Sequence, residues 1–228
     1  MKQKINKLKQ IIRKNLKWIV LFICLIIFIS IVEDVFDKEI MEADKQGYQF
    51  IANNLISDNV TPIAMIITNL GGTVVLITLT VVLLLAIKNK KIGISIVTNL
   101  LIVTGLNLLL KNIVQRPRPD EYRMIAETGY SFPSGHSMIS MAFYGYLIYL
   151  ISKHFKNKKL KTFLIIALSM LIISIGTSRI YIGVHYTSDV LAGFAISISY
   201  LIIYTSVAKK FLVEREEKDG VEKQENNK

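Results

Sequence analysis

The sequence predicts an all-α, polytopic membrane protein: a bundle of six transmembrane helices with one short interfacial helix on the outer surface. Six apolar blocks of roughly 20 residues, the length that crosses a bilayer, occupy about 16–32, 62–87, 92–110, 134–152, 160–178 and 189–208. Short charged segments separate these blocks. A soluble chain of 228 residues could bury one or two such helices but not six, so the blocks predict membrane spans.

The charges between the blocks predict the orientation of the chain in the membrane. Residues 1–17 carry seven Lys/Arg and no acid, whereas residues 33–61 carry seven acids against two lysines. Because Lys and Arg concentrate in cytoplasmic loops, both termini are expected in the cytoplasm, and the segments 33–61, 111–133 and 179–188 are expected outside. The net charge of +11 then belongs to membrane flanks, which excludes a nucleic-acid partner.

A single membrane domain, residues 1–210, is expected to contain every span, with its active site drawn from 111–189. Apolar side chains in the outer segment 33–61 recur at helical spacing: Tyr48, Ile51, Ala52 and Leu55. This spacing fits a short amphipathic helix on the outer surface, although a loop is an alternative. Residues 211–228 mix many charges and predict a disordered cytoplasmic tail.

Ionisable residues at the outer ends of the apolar blocks mark a candidate site, because charged groups at such positions are costly and usually functional. Three cations and two histidines lie there: Lys111, Arg118, Arg179, His136 and His185. Asp189 follows His185 by four residues, so it can reach one ring nitrogen across a helical turn. The other ring nitrogen is then free to act.

Two kinds of ligand fit these residues. Two histidines and a carboxylate could bind zinc or iron. The three cations would repel a metal ion, however, and they match phosphate oxygens, so an anion is favoured and no metal is expected. The stretch "PSGH" (133–136) adds a tight turn at a helix start, where N–H groups near Ser134 and Gly135 point at a bound anion.

Three stretches of the chain together resemble the motifs of the type-2 phosphatidic acid phosphatase superfamily. "KNIVQRPRP" (111–119) contains a lysine, six further residues and then Arg118-Pro119, whereas Arg116-Pro117 lies at the wrong spacing for this motif. "PSGH" is the second motif and "SRIYIGVHYTSD" (178–189) is the third. All three occur in order on one expected membrane face, which makes the resemblance specific.

The resemblance implies a membrane lipid phosphatase that uses neither a metal ion nor another cofactor. His185 would attack phosphorus and form a phosphohistidine, Asp189 would orient its ring, and His136 would protonate the leaving oxygen. The remaining motif residues would hold the non-bridging phosphate oxygens: Lys111, Arg118, Ser134, Gly135 and Arg179.

The substrate that the resemblance implies is a lipid phosphate in a bacterial plasma membrane. Undecaprenyl diphosphate, phosphatidylglycerophosphate and phosphatidic acid are the candidates, and an outward-facing site favours undecaprenyl diphosphate. Two alternatives stay open: transfer of the phosphoryl group to a hydroxyl, and lipid transport without catalysis. The sequence determines neither the lipid headgroup nor the oligomeric state.

Overall fold

The structure, a computed structural model, describes residues 2–37, 42–120 and 122–225, with side chains described over 14–37, 42–120 and 122–210. No strand occurs within these ranges, so the predicted all-α class is confirmed. The described helices are α1 (Lys2–Phe36), α2 (Glu42–Asn54), α3 (Thr61–Leu70), α4 (Thr73–Ala86), α5 (Lys90–Val114), α6 (Gly135–His154), α7 (Lys158–Tyr181) and α8 (Thr187–Glu225).

Within the described residues, four helices are long and apolar enough to cross a bilayer: Lys14–Phe36, Lys90–Val114, Lys158–Tyr181 and Thr187–Lys210. Together α3 and α4 meet the same criterion, but their axes are bent by 49°, so they form either a broken span or a re-entrant loop. The bend falls at Gly71 and Gly72. The chain is therefore a multi-pass membrane protein, with four or five spans by this criterion; the predicted count of six is not confirmed.

The fourth apolar block corresponds to α6, whose position explains why this helix does not meet the same criterion. This helix packs against α5, α7 and α8, and several of its buried residues carry hydroxyl groups. Tyr146, for example, is fully buried and donates a hydrogen bond to Ser95 Oγ at 2.8 Å. A helix surrounded by other helices needs few lipid-facing apolar side chains, so its composition alone does not decide whether it spans the membrane.

The lateral surface of the helix bundle is apolar. Large hydrophobic side chains are exposed on α1, α4 and α7, among them Phe22, Val74 and Phe163, whose exposed fractions are 61%, 78% and 66%. Soluble monomers rarely expose such extended apolar surface. This surface suits contact with lipid chains.

The segment 33–61, which is expected outside, contains a helix, α2, rather than only a loop. Residues 38–41 of this segment lie outside the described residues. Ile51 of α2 is buried against Ile180 and Val184, and the helix packs on α7 and α8. Tyr48, Ile51 and Ala52 of the apolar stripe therefore face the protein at the end of the bundle where α7 and α8 meet, whereas Leu55 follows the end of α2 and is exposed.

The last helix is longer than the sequence predicts. The backbone of α8 is helical to Glu225, where a disordered tail is expected from residue 211. Glu and Lys spaced four residues apart, as at Glu214 and Lys218, favour helix in such a charged segment. Residues 226–228 lie outside the described residues.

The turn between α7 and α8 requires glycine at position 183, which gives a first test of the fold. Gly183 has φ of +70°, and a Cβ there would lie 2.1 Å from the backbone oxygen of Tyr122. We expect Gly183→Ala to lower the free energy of unfolding by about 1–3 kcal/mol and the melting temperature in detergent by several degrees. Gly105→Ala is the control, because nothing lies within 4 Å of a Cβ at Gly105. Equal melting temperatures for both variants would contradict this account.

Candidate active site

The predicted site residues lie at one end of the bundle, on segments joined by backbone hydrogen bonds. The Ser134 N–H, at the start of α6, donates to the carbonyl of Asp189 in α8 at 3.1 Å. After α5, the Ser131 N–H donates to the carbonyl of Arg116 at 2.8 Å, and the Met124 N–H of the same loop donates to the carbonyl of Ile182 at 3.0 Å. The three motif segments therefore meet, although up to 78 residues separate them in the sequence.

The geometry of His185 assigns its tautomer. Its Nε2 lies 3.1 Å from Nη1 of Arg118, and its Nδ1 lies 3.3 Å from Oδ2 of Asp189. A guanidinium group can only donate hydrogen bonds, so Nε2 must accept and carries the lone pair. Nδ1 then bears the proton and donates it to Asp189. The contact between His185 and Asp189 that the sequence predicts is present, and Nε2 is the ring nitrogen without a proton.

His185 is buried, and its surroundings favour the neutral ring. Burial lowers the pKa of His185 to about 4; the hydrogen bond and charge of Asp189 oppose this shift, and the nearby Arg179 and Arg118 add to it. At neutral pH the ring is therefore uncharged. A neutral imidazole whose Nε2 carries no proton is the form that can attack an electrophile.

Arg118 is held in place beside His185 by backbone carbonyl groups. Its Nε donates to Gly129 at 3.0 Å, its Nη2 to Thr128 at 3.1 Å and its Nη1 to Val184 at 3.0 Å. The guanidinium group is thus already oriented before any ligand binds. An anion at this position would cost little additional ordering of the arginine side chain.

Lys111, in the last turn of α5, lies beside the start of α6. Its Nζ donates to the carbonyl of Tyr130 and, at 3.5 Å, to the carbonyl of Ser131. A Cβ at Gly135 would lie 3.9 Å from Cε of Lys111 and 3.1 Å from Oδ1 of Asn107. Glycine at the first position of α6 therefore allows both side chains to approach this helix start.

Ser134 caps α6. Its hydroxyl oxygen accepts hydrogen bonds from the Ser137 N–H at 3.4 Å and from the Ser137 hydroxyl at 2.9 Å. The residue is fully buried and its side chain serves the helix terminus, as N-cap serines do. Direct phosphate binding by the Ser134 hydroxyl stays a prediction.

Arg179 has one hydrogen-bond donor without a partner. The side chain is buried, its Nη1 donates to Oγ1 of Thr68 at 2.9 Å, and its Nη2 donates to Glu127. Its Nε has no hydrogen-bond partner among the described residues. Buried donors are rarely left unpaired, so this group fits a site that accommodates an additional acceptor.

Glu127 lies where the sequence predicts a phosphate. One carboxylate oxygen accepts from Arg179, and the other lies 3.8 Å from Nη2 of Arg118. Burial alone would raise the pKa of Glu127, but the hydrogen bond and charge of Arg179, with the charge of Arg118, lower it below the ordinary value. The side chain is therefore an anion between two cations, and a bound phosphate must displace it or share them.

His136 joins the same cluster from the first turn of α6. It is partly buried and lies within electrostatic range of Arg179, Glu127 and His185. A Cβ at Gly71 would come within 3.3 Å of Cδ2 of the His136 ring. The glycine at the bend between α3 and α4 thus leaves room for this histidine.

The structure adds residues that the sequence analysis missed. Arg116, set aside on its motif spacing, is buried and bonds to Asp189 and to Asp44 of α2. A signal for Asp44 existed, because it lies one helical turn before Tyr48 on the stripe that continues through Ile51. No sequence signal identified Glu127.

A cavity of about 470 Å³ opens beside His185. Its walls come from α2, from the loop after α5 and from the turn between α7 and α8, and they include Lys45, Gln49 and Arg118.

Comparison with known families gives one match: the model described as PAP2 superfamily matches residues 92–212. Phosphatidylglycerophosphatase B of Bacillus subtilis is 41% identical over 95 residues, which are 41% of this chain and 46% of that protein. The match thus spans less than half of the relative's length. Undecaprenyl-diphosphatase of Sulfolobus acidocaldarius is 29% identical over 203 residues, covering 84% of this chain and 91% of that protein.

Solved structures show the same fold. A PAP2-type phosphatidylglycerolphosphate phosphatase from Bacillus subtilis superposes with a TM-score of 0.72 at 25% identity, covering 83% of this chain and 96% of that one. Aquifex aeolicus LpxE superposes with a TM-score of 0.61 at 24% identity, covering 74% of this chain and 98% of the other. The second likeness is one of fold alone.

The position of Glu127 predicts that it competes with anions for the two arginines. Glu127→Gln removes the competing charge but keeps the side-chain shape, so we expect inorganic phosphate to bind about three- to tenfold more tightly. Isothermal titration of the protein in detergent measures this change. Glu33→Gln, at an exposed position of α1, is the matched control. Unchanged or weaker phosphate binding in Glu127→Gln would show that the carboxylate does not occupy the anion position.

Proposed function

Because the chain belongs to the PAP2 superfamily, we propose that it hydrolyses a lipid phosphate or diphosphate through a phosphohistidine at His185. The observation that supports this proposal most directly is that the two ring nitrogens of His185 have different partners. Nδ1 faces Asp189 and Nε2 faces a fixed guanidinium group of Arg118. This arrangement combines a nucleophile with a cation at the position where the charge of the phosphoryl group develops.

In the first step, Nε2 of His185 attacks phosphorus and the bond between phosphorus and the leaving oxygen breaks. His136, which takes up a proton when the anionic substrate binds, donates it to that oxygen, so the lipid leaves as an alcohol or as a lipid monophosphate. Asp189 holds the proton on Nδ1 and stabilises the positive charge that the ring gains. Arg118, Arg179 and Lys111 stabilise the non-bridging oxygens.

In the second step, water attacks the phosphorus of the phosphohistidine and the P–N bond breaks. His136, now neutral, accepts a proton from this water. Inorganic phosphate leaves, and His185 returns to its neutral form with the lone pair on Nε2. The two steps balance without any other reactant.

Metal independence is part of the proposal. In many phosphoryl-transfer enzymes, divalent metal ions neutralise the charge on the transferred group. Here three cations from separate elements, α5, the loop after α5 and α7, can supply positive charge in its place. The unpaired Nε of Arg179 offers a further donor to the phosphate.

Undecaprenyl diphosphate is the proposed substrate. The relative that aligns over most of both chains is an undecaprenyl-diphosphatase, which supports this choice. Phosphatidylglycerophosphate is the second candidate, because phosphatidylglycerophosphatase B has the higher local identity. A lipid A 1-phosphatase of Rhizobium etli is 34% identical over 97 residues, or 38% of each chain. Other lipid phosphates are therefore also candidate substrates.

We further propose six spans, with both termini in the cytoplasm of a bacterium and the site facing outward. The broken pair α3–α4 and the central helix α6 would supply the two spans beyond the four long apolar helices. The site lies at the end of the bundle that carries the acidic helix α2, opposite the basic N-terminal segment. The positive-inside rule supports that orientation.

The low pKa of His185 predicts the acid limb of the activity profile. Lowering the pH protonates Nε2 and removes its lone pair, so kcat/KM must fall on the acid side. Because the pKa is lowered to about 4, we expect the midpoint well below the ordinary histidine value of about 6.5. The acid midpoint is read from kcat/KM, which reports the free enzyme, after correction for the separately measured ionisation of the free substrate. Enzyme held at pH 4 and assayed at pH 7 controls for irreversible unfolding, and a midpoint at or above 6.5 would contradict a buried neutral nucleophile.

Phosphate release by purified protein tests the proposed function directly. The protein in detergent receives undecaprenyl diphosphate, phosphatidylglycerophosphate or phosphatidic acid, with a chelator and no divalent metal. We expect release at least about 10³-fold faster than for His185→Ala, since loss of a nucleophile removes the whole pathway. His154→Ala, which changes an exposed histidine at the end of α6, should retain activity.

The alternatives give different results in the same assay. A phosphotransferase would release little phosphate until a hydroxyl acceptor is added. A lipid transporter would bind the lipid equally well in His185→Ala and release no phosphate. Activity that requires a divalent metal would overturn the metal-independent mechanism but not the hydrolysis.

A further inference from the structure

A buried chain of ion pairs connects α2 to the His185–Asp189 pair. Arg116 Nη1 lies 2.7 Å from Oδ1 of Asp189, and its Nη2 lies 2.8 Å from Oδ2 of Asp44. Ser188 joins the chain, because Arg116 Nη1 also donates to its hydroxyl at 2.7 Å. The exposed fractions of Asp44, Arg116, Ser188 and Asp189 are 2%, 7%, 3% and 0%. These groups are therefore removed from water and depend on one another for pairing.

Arg116 determines which oxygen of Asp189 faces the histidine. It binds Oδ1, whereas Oδ2 accepts from Nδ1 of His185 at 3.3 Å and from the Tyr186 N–H at 3.0 Å. With both oxygens engaged, rotation of the carboxylate would break several bonds at once. The guanidinium group lies 4.0 Å from the centre of the Tyr186 ring, which restricts Arg116 as well.

Asp44 in turn holds Arg116 and the start of α8. Its Oδ2 accepts from Arg116 and, at 2.9 Å, from the Ser188 hydroxyl, and its Oδ1 accepts from the Ser188 N–H at 2.7 Å. This N–H belongs to the first turn of α8, whose backbone donors lack partners within the helix. Asp44 therefore acts as a cap supplied by another helix.

Helix α2 and the start of α8 approach each other closely. A Cβ at Gly47 would lie 2.2 Å from Oγ1 of Thr187, so only glycine lets α2 approach the first residue of α8 this closely. The approach brings Asp44, one turn earlier on α2, within reach of Ser188.

The charges of the ion-paired residues Asp44, Arg116 and Asp189 indicate a role beyond holding α2 in place. Burying ions is costly, and buried ion pairs often stabilise a fold no better than apolar packing does; α2 already has apolar packing through Ile51. Burial alone would lower the pKa of Arg116, but the two aspartates raise it above the ordinary value. The arginine is thus charged, and it pairs with both carboxylates in a buried position.

We propose that Asp44 and Arg116 are positioning residues for the reaction, acting through Asp189 on the orientation and tautomer of His185. The outer helix α2 is then a working part of the active site. This inference rests on the proposed function, since it concerns the same nucleophile.

The test compares isosteric variants of full-length protein in detergent. Asp44→Asn and Arg116→Gln should lower kcat for phosphate release by roughly 10- to 100-fold, with KM changed less than about threefold, because neither side chain touches the phosphate. Asp58→Asn and Arg123→Gln are the matched controls. Asp58 is exposed, and Arg123 forms an ion pair with the exposed Asp120. Both controls should keep the kcat of the wild type.

A double-mutant comparison separates positioning from general damage. If Asp44 acts through Asp189, adding Asp44→Asn to Asp189→Asn should lower kcat by less than about twofold further. Multiplication of the two separate losses would overturn the proposal, because it would mean that Asp44 acts independently of Asp189. Single variants with the kcat of the wild type would overturn it equally.

Two further variants decide the test if the first pair does not fold. If Asp44→Asn or Arg116→Gln does not fold, Ser188→Ala and Arg116→Lys decide in their place, with folding checked by gel filtration and melting temperature. Arg116→Lys should recover part of the kcat lost in Arg116→Gln, and Ser188→Ala should lower kcat at constant KM. Failure of both arms overturns the proposal. His185→Ala serves as the reference: if it keeps full phosphate release, the proposed function itself has failed, separately from the role of α2.

Discussion

The buried carboxylate of Asp189 is the constraint on which the site depends. One of its oxygens accepts from His185 and the other from Arg116, and the residue is fully buried. A charge in such a place is tolerated only with close partners. Three elements are positioned so that they supply those partners: the α7–α8 turn, the loop after α5 and, through Asp44, helix α2. The tautomer of His185 follows from its contacts with this carboxylate and with Arg118.

Around this constraint, the bundle separates two environments. The outer surfaces of α1, α4 and α7 are apolar, whereas polar side chains gather at one end and in the centre around α6. The positive charges of the site are balanced differently on its two sides. Arg116 is neutralised by aspartates, while Arg118 and Arg179 share one carboxylate, that of Glu127. The second side therefore retains the positive charge that an anionic ligand requires.

Much of the fold was predictable from the sequence because long apolar blocks have few physical solutions in a membrane. The all-α class and a helix within residues 33–61 are confirmed. The number of spans is less certain from composition, because α6 faces protein rather than lipid and α3–α4 is broken at Gly71. Residues 211–225 form helix where charge content predicts disorder, since overall composition does not register how opposite charges are spaced along the sequence.

The sequence by itself determined which residue types the site contains and, through three motifs, the contact between His185 and Asp189, because four residues of helix spacing suffice to bring them together. Only the tertiary structure decided the roles of Arg116, Asp44 and Glu127. Their partners lie 52 to 144 residues away in sequence for Glu127–Arg179, Arg116–Asp189 and Asp44–Ser188. Motif spacing reports only on local geometry, whereas pairing of a buried charge is settled by where the packed helices place its neighbours.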